Sequence, residues 1–181
     1  MNELSLYILD LTQNSITAGA HSITITIRYE SAFDRLTVII EDDGCGMSEE
    51  FLKQVTSPFT TTRKTRKVGL GIPMVRQMCE MCEGTFDIKS TLGVGTVLTL
   101  VFKASHVDLP PMGDLSSTMQ ALVNGTPEGV EFKLVYINDA NEFVFDTVEI
   151  RTALDGVPLN SPDVLMWIRD YVKEGIEETA L

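Results

Sequence analysis

Apolar and polar residues alternate with two different periods along the N-terminal part of the chain. An apolar stripe at helical spacing runs through residues 3–20 and predicts an amphipathic helix. Residues 22–30 alternate isoleucine with polar side chains, and residues 36–42 form a second strand-like run, so together they predict an antiparallel hairpin. The helical stripe consists of Leu4, Ile8, Leu11 and Ser15.

The middle of the chain continues with further predicted helices and strands. Ser48 has a side chain suited to an N-cap and predicts a short helix, whereas residues 57–70 predict irregular structure. A second amphipathic helix is predicted over residues 71–84, with a proline in its first turn and a glycine at its end. Residues 85–103 predict a second hairpin.

The composition changes around residues 105–114, where two prolines and a glycine occur close together. This change predicts a linker over residues 105–113 between an N-terminal domain, residues 1–104, and a small acidic α+β domain, residues 114–181. The second domain is predicted to contain a helix, a hairpin and a long final helix. No motif within it indicates a role.

The 181-residue chain has a net charge of -12, most of which belongs to its C-terminal part. Residues 1–103 carry 12 acidic and 10 basic side chains, whereas residues 104–181 carry 14 acidic and 4 basic ones. Nucleic acid is therefore excluded as a main partner, because neutralising its phosphates requires clustered lysine and arginine.

Neither a charged leader with an apolar run nor an apolar stretch of about 18 residues is found, so no signal peptide and no membrane span are predicted. Three cysteines do not make a disulfide framework, and a cytoplasmic location is expected. Cys79 and Cys82 are interpreted as packing residues, with a metal or redox site as the alternative. Cys45 is a candidate for modification.

The first candidate motif lies on the N-terminal helix. Asp10 and Asn14 are one helical turn apart, so a carboxylate and an amide project from the same face. Such a pair suits a hydrated Mg²⁺ and an oriented water molecule. The simpler alternative is an exposed polar face.

The second motif is the stretch EDDGCGMSEE, residues 41–50, which has more charge and more glycine than a turn requires. Asp42, at the end of a predicted strand, can accept a hydrogen bond from an exocyclic amine such as that of adenine. Gly44 and Gly46 allow the backbone to approach a flat ligand closely. An acidic β-turn is the alternative interpretation.

Two further motifs contain glycine pairs. Gly69 and Gly71 stand at the start of the second amphipathic helix, where backbone N–H groups and the helix dipole favour an anion. The basic run at residues 63–67 can fold over phosphates. The second glycine pair belongs to GVGT, residues 93–96, a tight hairpin turn that ends in Thr96. The alternatives are an ordinary helix start, a solvated loop and an ordinary turn.

In this order and spacing, the four motifs resemble the GHKL ATPase superfamily, which includes gyrase, heat-shock chaperones, histidine kinases and the MutL mismatch-repair ATPases. The resemblance covers roughly residues 1–103. It implies an α/β fold, a two-layer α/β sandwich with a mixed sheet and helices on one face, here followed by a small C-terminal α+β extension. It also implies ATP and Mg²⁺ as ligands.

The resemblance implies a role for each matching residue. Asn14 resembles the Mg²⁺-binding asparagine, Asp42 the aspartate that recognises adenine, and Thr96 the threonine that supports the adenine contact. Gly44 and Gly46 resemble the glycine companions of that aspartate. Phe59 lies in what resembles the segment before the ATP lid, and Arg63 and Lys64 resemble phosphate contacts of the lid. Gly69, Leu70 and Gly71 resemble the second glycine box.

The branch of the superfamily is indicated by two features that disagree. The run from FTTT to GLG is similar to histidine kinases, whereas NSITAGA resembles the MutL and gyrase side. Asp10 stands where those ATPases have a glutamate base. It is interpreted either as orienting water for slow hydrolysis or as holding Mg²⁺ through water.

The predicted function is that of a stand-alone, Mg-ATP-dependent kinase acting in trans on a partner protein in bacterial signalling. We expect no dimerising helix pair before the ATP-binding region, and neither His21 nor His106 is followed by the acid expected after a phospho-acceptor histidine. The alternative is a nucleotide-gated regulatory module or a slow ATPase without kinase activity.

Trp167, on the final helix, is interpreted as core packing, with a partner groove as the alternative.

Overall fold

The computed structural model describes residues 3–56 and 71–180. Its helices are α1 (Leu4–Thr17), α2 (Glu49–Thr56), α3 (Gly71–Met81), α4 (Leu115–Gly125), α5 (Thr147–Leu154) and α6 (Pro162–Thr179). Its strands are β1 (Ser22–Glu30), β2 (Arg35–Asp42), β3 (Thr85–Thr91), β4 (Gly95–Lys103), β5 (Glu131–Asn138) and β6 (Asn141–Asp146). Among the described helices, none combines the length and the apolar character that crossing a membrane requires.

The strands form one mixed sheet in the order β3-β4-β2-β1-β5-β6. The strands β1 and β5 are parallel, and the other neighbouring pairs in this sheet are antiparallel. The predicted hairpins β1–β2, β3–β4 and β5–β6 are therefore confirmed.

One face of the sheet carries the core. In β1 the side chains of Ile23, Ile25 and Ile27 are buried, whereas the intervening Thr24 and Thr26 are half-buried, as the period of two predicts. The apolar stripes of α1, α3, α4 and α6 belong to the same buried cluster as these isoleucines. The predicted fold class, a mixed sheet with helices on one face, is thus confirmed.

The C-terminal part extends this sheet. Strand β5 lies beside β1 over eight residue pairs, from Ser22 opposite Glu131 to Tyr29 opposite Asn138. Met119 of α4 and Ile168 of α6 are fully buried in the cluster that also contains Leu11 of α1. The boundary at residues 105–113 stays a prediction, but the segments on either side of it share one sheet and one core.

The segment predicted as a linker also serves as a cap for α1. The backbone N–H groups of Leu4 and Ser5 donate to the carbonyl oxygens of Pro111 and Met112, at 2.9 and 2.8 Å. The first N–H groups of a helix have no partner inside the helix, so this segment satisfies two of them. The start of α1 is therefore tied to the C-terminal part of the chain.

Two features of the C-terminal part differ from the sequence-based expectations. Helix α5 was not predicted, because it is only two turns long and buries just Thr147 and Ile150, too few positions to show a helical period. The interpretation of Trp167 as core packing is wrong for Trp167 itself, which is 48% exposed, while Ile168 and Val172 beside it are fully buried.

Candidate nucleotide site

A cavity of ≈ 350 Å³ opens between the C-terminal half of α1, the segment after β2 and the β3–β4 hairpin. Four of the predicted nucleotide-binding residues line it, namely Asn14, Asp42, Gly46 and Thr96. They come from three separate stretches of the chain, namely α1, residues 42–46 and β4, and the pairing of β2 with β4 places Asp42 directly opposite Thr96. The fold thus brings together motifs that are up to 82 positions apart, from Asn14 to Thr96.

The remaining predicted site residues lie beside this cavity or beyond what the structure describes. Gly44 is buried against Ala18 and the carboxylate of Asp42, and Gly71 lies against Asp10. The residues that fall outside the described part of the chain, and whose roles stay predictions, are Phe59, Arg63, Lys64, Gly69 and Leu70.

Both oxygens of the Asp42 carboxylate are held by neighbouring groups. The hydroxyl of Ser15 donates to Oδ2 at 2.6 Å, and the backbone N–H of Gly44 donates to Oδ1 at 2.9 Å. Each carboxylate oxygen can accept two hydrogen bonds, so acceptor capacity remains for a ligand. Asp42 is therefore a half-buried, oriented acceptor at the edge of the cavity.

Ser15 is a site residue that the sequence analysis did not identify as one. Its position on the buried stripe of α1 assigned it to the core, and its side chain is indeed buried. The signal that could have identified it is its hydroxyl, the one polar group among the four stripe positions. A buried hydroxyl requires a partner, and here the partner is Asp42.

The adjacent carboxylate of Asp43 has a different task. It is exposed, and its Oδ1 accepts the backbone N–H groups of His21 and Ser22 at 2.7 and 2.8 Å. The hydrogen bond from Ser22, together with that from His21, lowers the pKa of Asp43 below its usual range. Asp43 therefore anchors the start of β1, while Asp42 lines the cavity.

Two glycines allow the segment after β2 to lie against the β3–β4 hairpin. Gly46 has φ +63, and a Cβ there would be 2.0 Å from the carbonyl oxygen of Thr91. Gly95 has φ +145, and a Cβ there would be 1.9 Å from the carbonyl oxygen of Asp42. Both positions thus exclude any side chain, and at Gly46 this accounts for one glycine of the stretch after β2.

Ser90 links the two sides of this contact. Its hydroxyl accepts the backbone N–H of Met47 at 2.8 Å and lies 2.9 Å from the hydroxyl of Thr96. It is also 3.0 Å from the carbonyl oxygen of Gly95. Ser90 was not identified from the sequence, since a serine in a strand has no distinguishing pattern.

The predicted Mg²⁺ residues, Asp10 and Asn14, lie one helical turn apart on α1. Asn14 is half-buried, and its amide nitrogen Nδ2 is fully buried without a hydrogen-bond partner among the described residues. A Cβ on Gly71, the first residue of α3, would lie 2.1 Å from Oδ2 of Asp10. The carboxylate of Asp10 therefore sits at the N-terminal end of α3, where the helix dipole favours negative charge.

The remaining walls of the cavity are mostly apolar. A flat ring that enters between them would be desolvated on both faces, and a single carboxylate at the edge would select a ring that carries a donor group. The apolar side chains lining the cavity are Leu11, Ala18, Met47, Phe51, Ile72, Ile88 and Leu98.

The three cysteines divide into one exposed thiol and a buried pair. Cys45 is exposed and lines the cavity, whereas Cys79 and Cys82 are buried. Burial raises the pKa of Cys79 to about 12 and also raises that of Cys82. The buried pair behaves as packing residues, because a thiol held in its neutral form is a poor metal ligand or nucleophile.

Comparison with known proteins finds relatives among bacterial sensor proteins and kinases. The chain is 30% identical over 100 residues to sporulation kinase C of Bacillus subtilis, 31% over 99 residues to sensor protein DegM of a Bacillus species, and 33% over 100 residues to sensor histidine kinase ZraS of Salmonella typhi. Each match covers 55% of this chain and 23%, 26% and 21% of those proteins. The chain thus spans about a quarter or less of their length.

A solved structure and a family profile complete the comparison. The histidine kinase domain of a blue-light activated histidine kinase from Erythrobacter litoralis EL346 has a TM-score of 0.35 and 21% identity, covering 48% of this chain and 34% of that one. The profile described as histidine kinase-, DNA gyrase B-, and HSP90-like ATPase matches residues 2–106, more than half of the chain. The chain therefore belongs to the family of histidine kinase-, DNA gyrase B- and HSP90-like ATPases, the GHKL superfamily.

Proposed function

We propose that the chain binds Mg-ATP in the cavity between α1 and the β3–β4 hairpin, with adenine at Asp42. The observation that carries this proposal is the convergence of Asn14, Asp42, Gly46 and Thr96 on one cavity with apolar walls. Membership of an ATPase family adds independent support, since its profile covers the region that forms this cavity.

Asp42 supplies the recognition of the base. The hydrogen bonds from Ser15 and Gly44 fix the carboxylate as an acceptor, which matches the exocyclic amine of adenine. Guanine presents a carbonyl oxygen at the corresponding ring position, and two acceptors facing each other repel. The site is therefore expected to prefer ATP to GTP.

Asp10, Asn14 and Gly71 form the phosphate end of the proposed site. The N-terminal end of α3 favours an anion, but the carboxylate of Asp10 already lies against it. Phosphates approaching this end require a cation to offset the repulsion between the two negative groups. Asn14 and Asp10 would hold Mg²⁺ there, and the cation would neutralise phosphate charge. Arg63 and Lys64 are proposed as further phosphate contacts.

For the reaction, we propose kinase activity in trans on a partner protein in bacterial signalling. The support is that two of the relatives described above are named kinases. The chain has only two histidines, and His21 and His106 are followed by serine and valine rather than by an acid. Phosphoryl transfer depends mainly on positioning and electrostatic stabilisation, which a nucleotide site of this kind supplies.

The second candidate function is a nucleotide-gated regulatory module with slow ATPase activity. It is favoured by the position of Asp10, a carboxylate beside the proposed phosphate site that is able to accept a proton from water. In this case ATP would change the state of the domain, and a partner would read that state without being phosphorylated.

Calorimetric titration of ATP with Mg²⁺ tests the nucleotide site. Wild type is expected to bind ATP, and Asp42→Asn is expected to abolish measurable binding, because the substitution presents a donor to the adenine amine. Asp43→Asn is the matched control, since the asparagine keeps its own Oδ1 acceptor for the N–H groups of His21 and Ser22 and does not line the cavity. Equal binding by wild type and Asp42→Asn would contradict the site.

Transfer of labelled γ-phosphate to proteins of a cell extract tests the reaction. Labelling of a protein that is lost when Asp42 is substituted supports the kinase. The stability of the labelled phosphate in acid distinguishes phosphoserine or phosphothreonine from phosphohistidine. Release of inorganic phosphate alone, lost in Asp10→Asn, would favour the slow ATPase instead.

A further inference from the structure

An apolar groove lies between α5 and α6, in the C-terminal part of the chain. It has a volume of ≈ 490 Å³, and its lining residues are distinct from those of the nucleotide cavity. The apolar side chains that line this groove, called here the α5–α6 groove, are Ile150, Ala153, Leu154, Val164 and Trp167.

The aromatic residue that lines the groove, Trp167, is exposed and is held in place by a neighbouring ring. Trp167 is 48% exposed and Tyr171 is 38% exposed, although both are large apolar rings. Their rings stack at 4.9 Å between centroids, and Tyr171 also meets the edge of Phe143 at 5.4 Å. Rings that are ordered before binding lose little conformational freedom, and tryptophan and tyrosine are the residues most enriched at energetic centres of interfaces.

The rim of the groove is acidic. Glu149 and Asp163 line it on α5 and α6, and the surrounding part of the chain, residues 104–181, contains 14 acidic and 4 basic side chains. Three of those cations are engaged elsewhere, in the ion pairs Arg151–Glu131, Lys133–Asp146 and Arg169–Asp170. None of these pairs involves the two carboxylates of the rim.

We propose that the α5–α6 groove docks a basic amphipathic helix of a partner protein. The apolar face of that helix would cover Trp167 and its neighbours, and its lysine or arginine residues would pair with Glu149 and Asp163. A groove between two helices accepts the side-chain ridge of a third helix, and opposite charge at the rim selects the partner and steers its approach. An anionic membrane does not fit the site, since the same rim repels it.

The proposal is testable directly, because Trp167 is the one tryptophan of the chain and its emission reports on the groove. The probe is a synthetic helical peptide of leucine and lysine, compared with the same peptide carrying glutamate in place of each lysine. We expect a saturable blue shift of Trp167 emission with the lysine peptide, weakened by salt, and no shift with the glutamate peptide.

Two variants localise the binding. The double substitution Glu149→Gln and Asp163→Asn is expected to lower the affinity for the lysine peptide about fivefold, because it removes two exposed charge pairs. Ala153→Phe fills the groove from an exposed position on α5 and is expected to lower the affinity for the lysine peptide more than about tenfold. The matched control, Glu128→Gln with Glu142→Gln, removes the same charge from exposed positions that do not line the groove and should bind as wild type does.

Three outcomes overturn the proposal. If the glutamate peptide binds as tightly as the lysine peptide, the rim charge does not select the partner. If Ala153→Phe binds the lysine peptide as wild type does, the peptide binds outside the groove. A wild-type dimer in sedimentation that dissociates in Ala153→Phe assigns the groove to a second copy of the chain. Asp42→Asn should bind the lysine peptide normally, so failure of the nucleotide site and failure of this groove are distinguishable.

Discussion

The hydroxyl of Ser15 donates to Asp42 at 2.6 Å, across 27 positions of sequence and between the buried stripe of α1 and the end of β2. A charged acceptor and a buried donor make this one of the stronger hydrogen bonds of the site. It couples the helix that carries Asn14 to the carboxylate proposed to recognise adenine. The affinity for ATP is therefore expected to depend on this hydrogen bond.

Ser15→Ala should weaken ATP binding about tenfold, because a charge-assisted hydrogen bond is worth roughly 1.5–3 kcal/mol and its loss frees the Asp42 carboxylate to rotate. Calorimetric titration measures the change. Thr12→Val is the control on the same helix, since Thr12 is buried and its hydroxyl has no partner among the described residues. Thr12→Val should keep ATP affinity, and an equal loss in both variants would indicate a general effect on α1.

Gly95→Ala should lower the free energy of unfolding by about 2–4 kcal/mol, because the added Cβ meets the backbone of Asp42 in addition to the cost of positive φ. Gly93 provides the comparison, with φ +77 and nothing within 4 Å of a Cβ. Gly93→Ala should cost only about 1 kcal/mol, the backbone term alone. Urea unfolding measures both values, and equal losses would remove the steric explanation.

Cys45 should be the thiol that iodoacetamide modifies in the folded protein, because it is exposed while Cys79 and Cys82 are buried with raised pKa values. Mg-ATP should slow its modification, since Cys45 lines the proposed nucleotide cavity. Mass spectrometry of the labelled peptides measures both effects. Protection by ATP in wild type that persists in Asp42→Asn would contradict the proposed position of the nucleotide.

Asp114 should contribute stability that depends on pH. It caps α4 by accepting the N–H of Ser117 at 2.9 Å, and the hydroxyls of Ser116 and Ser117 lower its pKa to about 2. Because the folded pKa lies below the unfolded one, the contribution is fully present above about pH 4 and is lost as pH falls toward 2. The difference in unfolding free energy between wild type and Asp114→Asn should therefore shrink over that range. A difference that stays constant down to pH 2 would show that the charge of Asp114 does not matter.

The alternation of apolar and polar residues determined most of the helices and strands of this protein and most of the strand pairing. The period of two identified β1 and β2, the helical stripe identified α1, and hairpins follow from strands that are neighbours in sequence. The spacing of the motifs was also sufficient to identify the family, because this chain carries the asparagine, the aspartate and the glycines in the order that is typical of that family.

Only the tertiary structure decided how the second part of the chain joins the first and which polar residues act together. The parallel pairing of β1 with β5 joins segments about a hundred residues apart, and no local pattern specifies such a contact. Asp42 and Asp43 are chemically identical in the sequence, and they differ only because Ser15 lies beside one and the start of β1 beside the other. Periodicity is a local property, whereas the partner of a buried polar group is chosen by the packing of the whole fold.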